Sequence, residues 1–312
     1  MPFAEVGRAI AQADWVLLLG LSVPSYLLLI WVRALRWRHL TDPIRPLGNA
    51  PLARATAVGF MANNLFPLRM GEVVRCWYLA RETGVSAAAV FGTVILERVI
   101  DIVAVIAMVG LVLPLRAGGD DAGLARGAAV LAPFGVLPLL FLWALRTRPA
   151  WVERIVLRVV RPVSTRAAAF VERVLHRFAE GLGALRGGRH VFWIAFHSVL
   201  IWAVISVVPI LAAFLALDIE LPSAWQSLVA AWTTQAAIGV AVALPSAPGF
   251  FGIFHYACRL ALVRSGVPLE TAVAAGTLIH SVMWITLTAL GLAVLRARHT
   301  PLAEVDRVAG GE

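Results

Sequence analysis

The 312-residue chain contains no lysine: all 27 of its basic residues are arginine. Charge of any sign is scarce, at 14% of residues, against 60% hydrophobic residues and a mean hydropathy of +0.84. That balance excludes an ordinary solvated domain and points to an integral membrane protein of one domain, 1–312. The net charge of +9 is no nucleic-acid footprint, because the arginines fall in a few segments between apolar runs. The missing lysine has a bland reading, coding bias, and a chemical one, bidentate recognition of phosphate. Cysteine is almost absent. Cys76 and Cys258 exclude a disulfide framework, lack metal-ligand spacing and read as small apolar residues. No HExxH, GxSxG or P-loop pattern occurs, nor any Cys/His cluster in sequence. We therefore expect no enzyme activity, no cofactor, no metal and no ATP-driven cycle.

What is present is a series of apolar runs. Met1 to Asp14 lacks the basic region of a signal peptide, so Trp15 to Val32 reads as a retained first span. Arg33, Arg36, Arg38, Arg45 and Arg54 follow it while only Arg8 precedes it, which places the N-terminus outside and the arginine cluster in the cytoplasm. Trp15, Trp31 and Trp37 suit interfacial anchors. Ala50 to Ala80 is interrupted by Asn63, Asn64, Pro67 and Gly71 and reads as a re-entrant hairpin, tolerable only where broken backbone is buried or lines a cavity. Ala87 to Leu113 crosses outward, Arg116 to Ala122 is an external loop, and Leu124 to Leu145 returns. Residues 146–189 hold ten arginines against three glutamates. Ile155, Val159, Val163, Phe170, Val174 and Phe178 recur there at helical spacing, as expected of an amphipathic cytoplasmic linker lying on an anionic leaflet. Val191 to Leu217 crosses outward. Ser223 to Leu244 breaks at Pro245, Pro248, Gly249 and Gly252, and either spans fully or re-enters. Leu269 to Leu295 is the last span, with Arg296 and Arg298 placing the C-terminus inside.

The two interrupted regions match. Pro67 answers Pro248, Gly71 answers Gly252, Gly84–Val85 answers Gly266–Val267, and Gly92–Thr93 answers Gly276–Thr277, at offsets of 181 to 184 residues. The charge rule runs the two long spans in opposite directions. The expected fold is therefore all-α, a polytopic transmembrane bundle with two Pro/Gly-broken re-entrant elements in an inverted repeat, 15–145 and 190–298.

One span carries VILERVIDIVAVI, Val94 to Ile106. Glu97, Arg98 and Asp101 each cost about 2.5–3.5 kcal/mol on insertion scales. Arg98 reaches Asp101 at i+3. It cannot satisfy both acids, so Glu97 needs a partner, with Arg69 or Arg75 of the first hairpin as candidates, or else is protonated.

The segments NNLFPLRMGEVVRCWYLARETG, VILERVIDIV, RALRWRHL and LPSAPGFFGIFHYA resemble the lysylphosphatidylglycerol synthase membrane region, a flippase-like family, over about Val16 to Leu295. The resemblance implies movement of lipid between leaflets. Fused relatives carry a soluble domain that adds lysine to phosphatidylglycerol. No such domain is expected within these residues, so aminoacyl transfer is not implied. Many relatives carry an acid near the position of His255 and a base near that of His280, where this chain has histidine at both.

The expected site is a polar cavity between the repeats. Arg69, Arg75 and Arg98 donate there to a lipid phosphate, and Glu72, Glu97 and Asp101 hold those guanidiniums or meet a cationic headgroup. Asn63, Asn64, His255 and His280 complete it, with the backbone breaks Pro67, Gly71, Pro245, Pro248, Gly249 and Gly252 exposing helix ends. A purely structural ion-pair network is the competing reading. The expected function is transport of a phosphate-bearing lipid (phospholipid, aminoacyl-phospholipid or polyprenyl/glycolipid) across a bacterial-type cytoplasmic membrane. The alternative is a membrane module that binds such a lipid and presents it to a lipid-modifying partner enzyme without moving it.

Overall fold

The structure, a computed structural model, describes residues 3–115, 147–162, 188–243 and 247–310, with a few isolated residues between 140 and 175. No strand occurs among the described residues. The chain opens with an amphipathic helix, α1 (Phe3–Gln12), which the apolar pattern did not announce. α2 (Trp15–Thr41) starts where Asp14 Oδ1 accepts the Leu17 N–H at 2.9 Å, an N-cap that satisfies one orphan donor. A broken hairpin follows, α3 (Asn49–Leu65) and α4 (Gly71–Thr83), closed by Gly84 at φ +71°. α5 (Ala87–Leu115) is the helix with the ionisable triplet.

After it come α6 (Pro149–Val160), α7 (Gly188–Val199) and α8 (Val208–Ala216). A second broken hairpin is made by α9 (Ala224–Ala243) and α10 (Ile253–Val263). The long α11 (Leu269–Ala297) and the terminal α12 (Leu302–Gly310) end the described chain.

Four helical stretches among the described residues are long and apolar enough to cross a membrane: Trp15–Thr41, Ala87–Leu115, Arg189–Ala216 and Leu269–Ala297. The expected loop Arg116 to Ala122, the return span Leu124 to Leu145 apart from Leu140 and Ala144, Pro245, and Val163, Phe170, Val174 and Phe178 of the linker lie outside the described residues. Of that linker's apolar stripe, Ile155 and Val159 on α6 are exposed beside Trp151.

The third of these stretches is not one regular helix. Between α7 and α8 the backbone widens to a π turn over Leu200–Val204 and tightens to a 3-10 turn over Ile205–Val207. Pro209 has no N–H for the Ile205 carbonyl four residues back. Ser25 Oγ donates to that carbonyl at 2.8 Å, and Trp232 Nε1 donates to the Ala203 carbonyl at 2.9 Å. The Ile205 carbonyl also accepts the Val208 N–H, so side chains from two other helices add donors along the irregular stretch, in keeping with apolar surroundings.

Contacts follow a cross-braced order. α3 packs on α4 and α9 on α10; α4 packs on α5 and α10 on α11; each long helix then packs on the other hairpin's first arm, α5 on α9 and α11 on α3. Lipid offers no hydrophobic drive for such packing, so close approach through small residues carries it. A Cβ on Gly59 would lie 2.8 Å from Arg75 Cβ, on Gly239 2.8 Å from Val105 Cγ2, and on Gly291 2.3 Å from Met61 Cβ.

Two expectations about α2 are corrected. The helix continues nine residues past Val32, so Arg33 and Arg36 are not loop residues counting toward a cytoplasmic cluster. Both are buried. Trp37 is not an interfacial anchor either: it is fully buried, donates from Nε1 to Thr93 Oγ1 at 2.9 Å, and lies under Arg75 with the guanidinium carbon 4.0 Å from the ring centre. Trp15 and Trp31 are exposed.

Candidate functional site

The first break is built by the residues that interrupt the apolar pattern. Pro67 opens a short turn, Pro67–Arg69, in which Leu68 and Arg69 both sit at φ +57°. Non-glycine residues in that region cost about 1–2 kcal/mol each. Asn63 Oδ1 accepts the Gly71 N–H at 2.9 Å, so the end of α3 caps the start of α4 across the turn. Asn64 faces away from the turn and ties it to α11, donating to Thr288 Oγ1 at 2.9 Å and to the Trp284 carbonyl at 3.3 Å.

The second break has the same form. Pro248 is followed by Gly249 at φ +64° and Phe250 at φ +63°, and Gly252 at φ +84° opens α10. His280 Nε2 lies 2.7 Å from the Gly249 carbonyl, which accepts its proton. The His255 and His280 ring centres are 4.7 Å apart, packed among Phe251 and Phe254. The two breaks touch: the Arg69 guanidinium lies over the Phe250 ring, 5.4 Å from its centre.

Between them lies a cavity of about 150 Å³. Its polar lining includes Arg33, Asn63, Asn64, Arg69, Glu72, Arg75, Arg98 and Gln235; its apolar lining includes Tyr26, Phe60, Phe250, Phe254 and Met283. Behind this wall stand Glu97 and Asp101, 1% and 5% exposed. Glu97 is paired with four guanidiniums: Arg33 at 3.4 Å, Arg36 at 3.3 Å, Arg98 at 3.1 Å, and Arg75 in the shortest contact. Asp101 meets Arg36 at 2.8 Å, Arg98 at 3.1 Å and Arg33 at 3.2 Å, and accepts from Trp202 Nε1 at 3.1 Å. Glu72 completes the set, 3.6 Å from both Arg75 and Arg98.

The missing partner of Glu97 is therefore Arg75, together with Arg33, Arg36 and Arg98. It is not Arg69, which makes no ion pair or hydrogen bond among the described residues and whose buried Nε has no acceptor. Sequence reasoning missed Arg33 and Arg36 as site residues. The available signal was their spacing, three apart in the RALRWRHL segment, which puts both on one face of a continuing helix.

Most of the expected residues converge here. Asn63, Asn64, Arg69, Glu72, Arg75 and Arg98 line the cavity, and Glu97 and Asp101 back it. Gly71 packs the hairpin shut: a Cβ there would lie 2.1 Å from the Gly59 carbonyl oxygen. His255 and His280 do not line the cavity; they hold the second break from behind. Five guanidiniums (33, 36, 69, 75, 98) face three carboxylates (72, 97, 101), two positive charges in excess. The carboxylates fix the arginines in place, and the surplus can attract an anion with oxygens matched to the guanidinium fork.

The chain belongs to the family described as lysylphosphatidylglycerol synthase TM region, whose model matches residues 1–291. It is also similar to a protein named Glycosyltransferase AglD of the archaeon Haloferax volcanii, 27% identical over 315 aligned positions that cover 89% of this chain and 48% of that protein. The chain thus spans about half the length of that curated relative. No solved structure matches at a significant level. Family and apolar helices together identify an integral membrane protein with a lipid-related role.

Proposed function

We propose that the protein moves a phosphate-bearing lipid between the two leaflets of a cytoplasmic membrane. One observation carries the reading: a cavity between two broken hairpins, lined by arginines that outnumber the nearby acids, with Arg69 making no ion pair among the described residues. Ionisable side chains in such surroundings are expensive and mark a pathway by default. Arg69, Arg33 and Arg98 would receive the phosphate, while Glu97 and Asp101 keep their neighbours aimed without neutralising them all. The lipid tails would remain in the bilayer beside the cavity. No bond need be made or broken.

The breaks would be re-entrant and the two halves an inverted repeat, with N-terminus outside and C-terminus inside. Support comes from the matched turns 181 residues apart and from the cross-braced packing. Transport would follow from one hairpin rocking against the other around the Arg69–Phe250 contact. The exposed apolar side of α6 among arginines supports the linker's seat on an anionic leaflet.

A second reading is that the protein holds a lipid for a modifying enzyme without moving it. The named glycosyltransferase relative, about twice as long, favours it. Proteoliposomes holding only this protein separate the two. A panel of anionic, zwitterionic, cationic and polyprenyl-phosphate lipids would be tested against wild type and Arg69→Gln. Arg69 is the better choice than Glu97, because it has no ion partner to strand. Transport predicts headgroup-selective movement that falls at least tenfold in folded Arg69→Gln. Saturable binding with no movement of any lipid would move the conclusion to the presenting module.

A further inference from the structure

A second cluster of chemistry-bearing side chains lies outside the cavity, where the last turn of α2 meets the first turns of α7. His39 sits in that last turn, Asp42 caps it, and His190 comes from α7. One ligand atom from each lies within 4.8 Å of the others, and all three side chains are half-buried. The His39 and His190 rings meet edge to face, 5.7 Å between centres. His197, further along α7, has its ring centre 5.6 Å from that of His39. Its Nδ1 is 2.6 Å from the Trp193 carbonyl oxygen, which accepts the Nδ1 proton and leaves Nε2 as the free lone pair. A sequence scan for ligand spacing does not see this group, because His190 lies far along the chain from His39 and Asp42.

We propose that His39, Asp42 and His190 bind a divalent metal ion of the zinc class, with His197 bracing the site. Two imidazole nitrogens and one carboxylate oxygen form a borderline donor set that suits Zn²⁺, leaving a fourth position for water. The competitor for Asp42 is Arg38, whose Nε is 3.8 Å away. Arg38 also donates to Asn49 Oδ1 at 3.5 Å, so it keeps an acceptor when Asp42 turns to a metal. The bound ion would clip α2 to α7. That same helix contact carries Arg36, one turn before His39, whose Nη1 donates at 3.2 Å to Ser198 Oγ, the residue after His197. The metal would thus stiffen the contact that delivers Arg36 to the ionic cluster, whatever that cluster transports.

The test uses full-length, tag-free protein in detergent, titrated with ZnCl₂ by calorimetry and with CoCl₂ by visible absorbance. The expected result is one ion per chain and a Co²⁺ ligand-field band. His190→Ala and Asp42→Asn should lose the band, and His197→Ala should weaken binding about 10- to 100-fold, the usual effect of removing a supporting contact. His255→Ala, outside the cluster, should leave it unchanged. As a check independent of variant folding, Zn²⁺ should raise the wild-type melting temperature and EDTA should reverse the rise. Absence of stoichiometric binding, equal binding in the His190 and Asp42 variants, or no reversible thermal shift would each overturn the proposal. None of these outcomes depends on lipid movement.

Discussion

The two breaks turn alike at their prolines and then differ, in side chains and in backbone: Gly252 opens its helix at φ +84°, whereas Gly71 takes no positive φ. Each has a proline followed by two left-handed residues, Pro67–Leu68–Arg69 and Pro248–Gly249–Phe250, and each turns one hairpin arm into the next. The first then presents Arg69, Glu72 and Arg75. The second presents Phe250, Phe251, Phe254 and His255. Their apposition stacks a guanidinium on an aromatic ring. A bend and a charge set are therefore separable requirements. Both hairpins need the bend to bring helix ends into the interior, whereas the sign of the cavity comes from one of them and from α2 and α5.

The largest effect should come from the charged side. Glu97→Gln strands guanidiniums that share Glu97 as their acceptor, and breaking a buried pair by removing one partner typically costs about 3–5 kcal/mol. Denaturant unfolding in micelles should show the loss. A cost under about 1 kcal/mol would mean that the acids do not hold the cluster. The two glycines 181 residues apart sharpen the comparison next. Gly71→Ala should cost about 1–3 kcal/mol through overpacking, since its Cβ would strike the Gly59 carbonyl. Gly252→Ala meets nothing within 4 Å but holds φ +84° and ψ −61°, outside the left-handed helical region, and should cost about 1–3 kcal/mol from backbone conformation alone. Trimming the neighbour that a Cβ at 71 would meet, Asn63→Ala, should not rescue Gly71→Ala, because the Gly59 carbonyl still blocks it, and no neighbour exists to trim at 252; rescue at 71 would erase the distinction.

The smallest effect should be at Leu68, which is 86% exposed at φ +57° and stands where the second break has Gly249. Leu68→Gly relieves about 1–2 kcal/mol of strain and gives back about 0.5–1 in chain entropy, so the net gain should stay below about 1.5 kcal/mol. The reverse change, Gly249→Leu, should destabilise clearly, because a Cβ there would come within 2.8 Å of Trp284 Nε1. Comparing the pair by thermal melting tests whether the two turns are interchangeable backbones.

Much of this architecture was legible before any coordinates. Asn63, Pro67 and Gly71 mark the first break because they cannot continue an apolar helix, and Pro248, Gly249 and Gly252 mark the second for the same reason. Glu97, Arg98 and Asp101 stand out in α5 because intramembrane charge is costly. The apolar runs set α2, α5 and α11 through length alone. Period and composition act over a few turns, so they specify elements and their interruptions.

Contacts between elements were a different matter. Arg33 and Arg36 read as flanking charges, since nothing local says that α2 runs on to Thr41 with both buried. Their carboxylate partners lie 61 to 68 residues away. Arg69 and Arg75 look equivalent along the chain, yet only Arg75 points into the cluster, because the left-handed turn at 68–69 swings Arg69 toward Phe250. The irregular backbone at 200–207 likewise takes hydrogen bonds from Ser25 and Trp232, which arrive from elsewhere. The sequence by itself determined the long apolar helices, the two Pro/Gly breaks and the charged triplet of α5, because those follow from local covalent and hydropathic rules. Tertiary structure alone decided which charges neutralise one another and which guanidinium, among the described residues, stacks on a ring instead of meeting an acid, because that depends on where distant side chains meet.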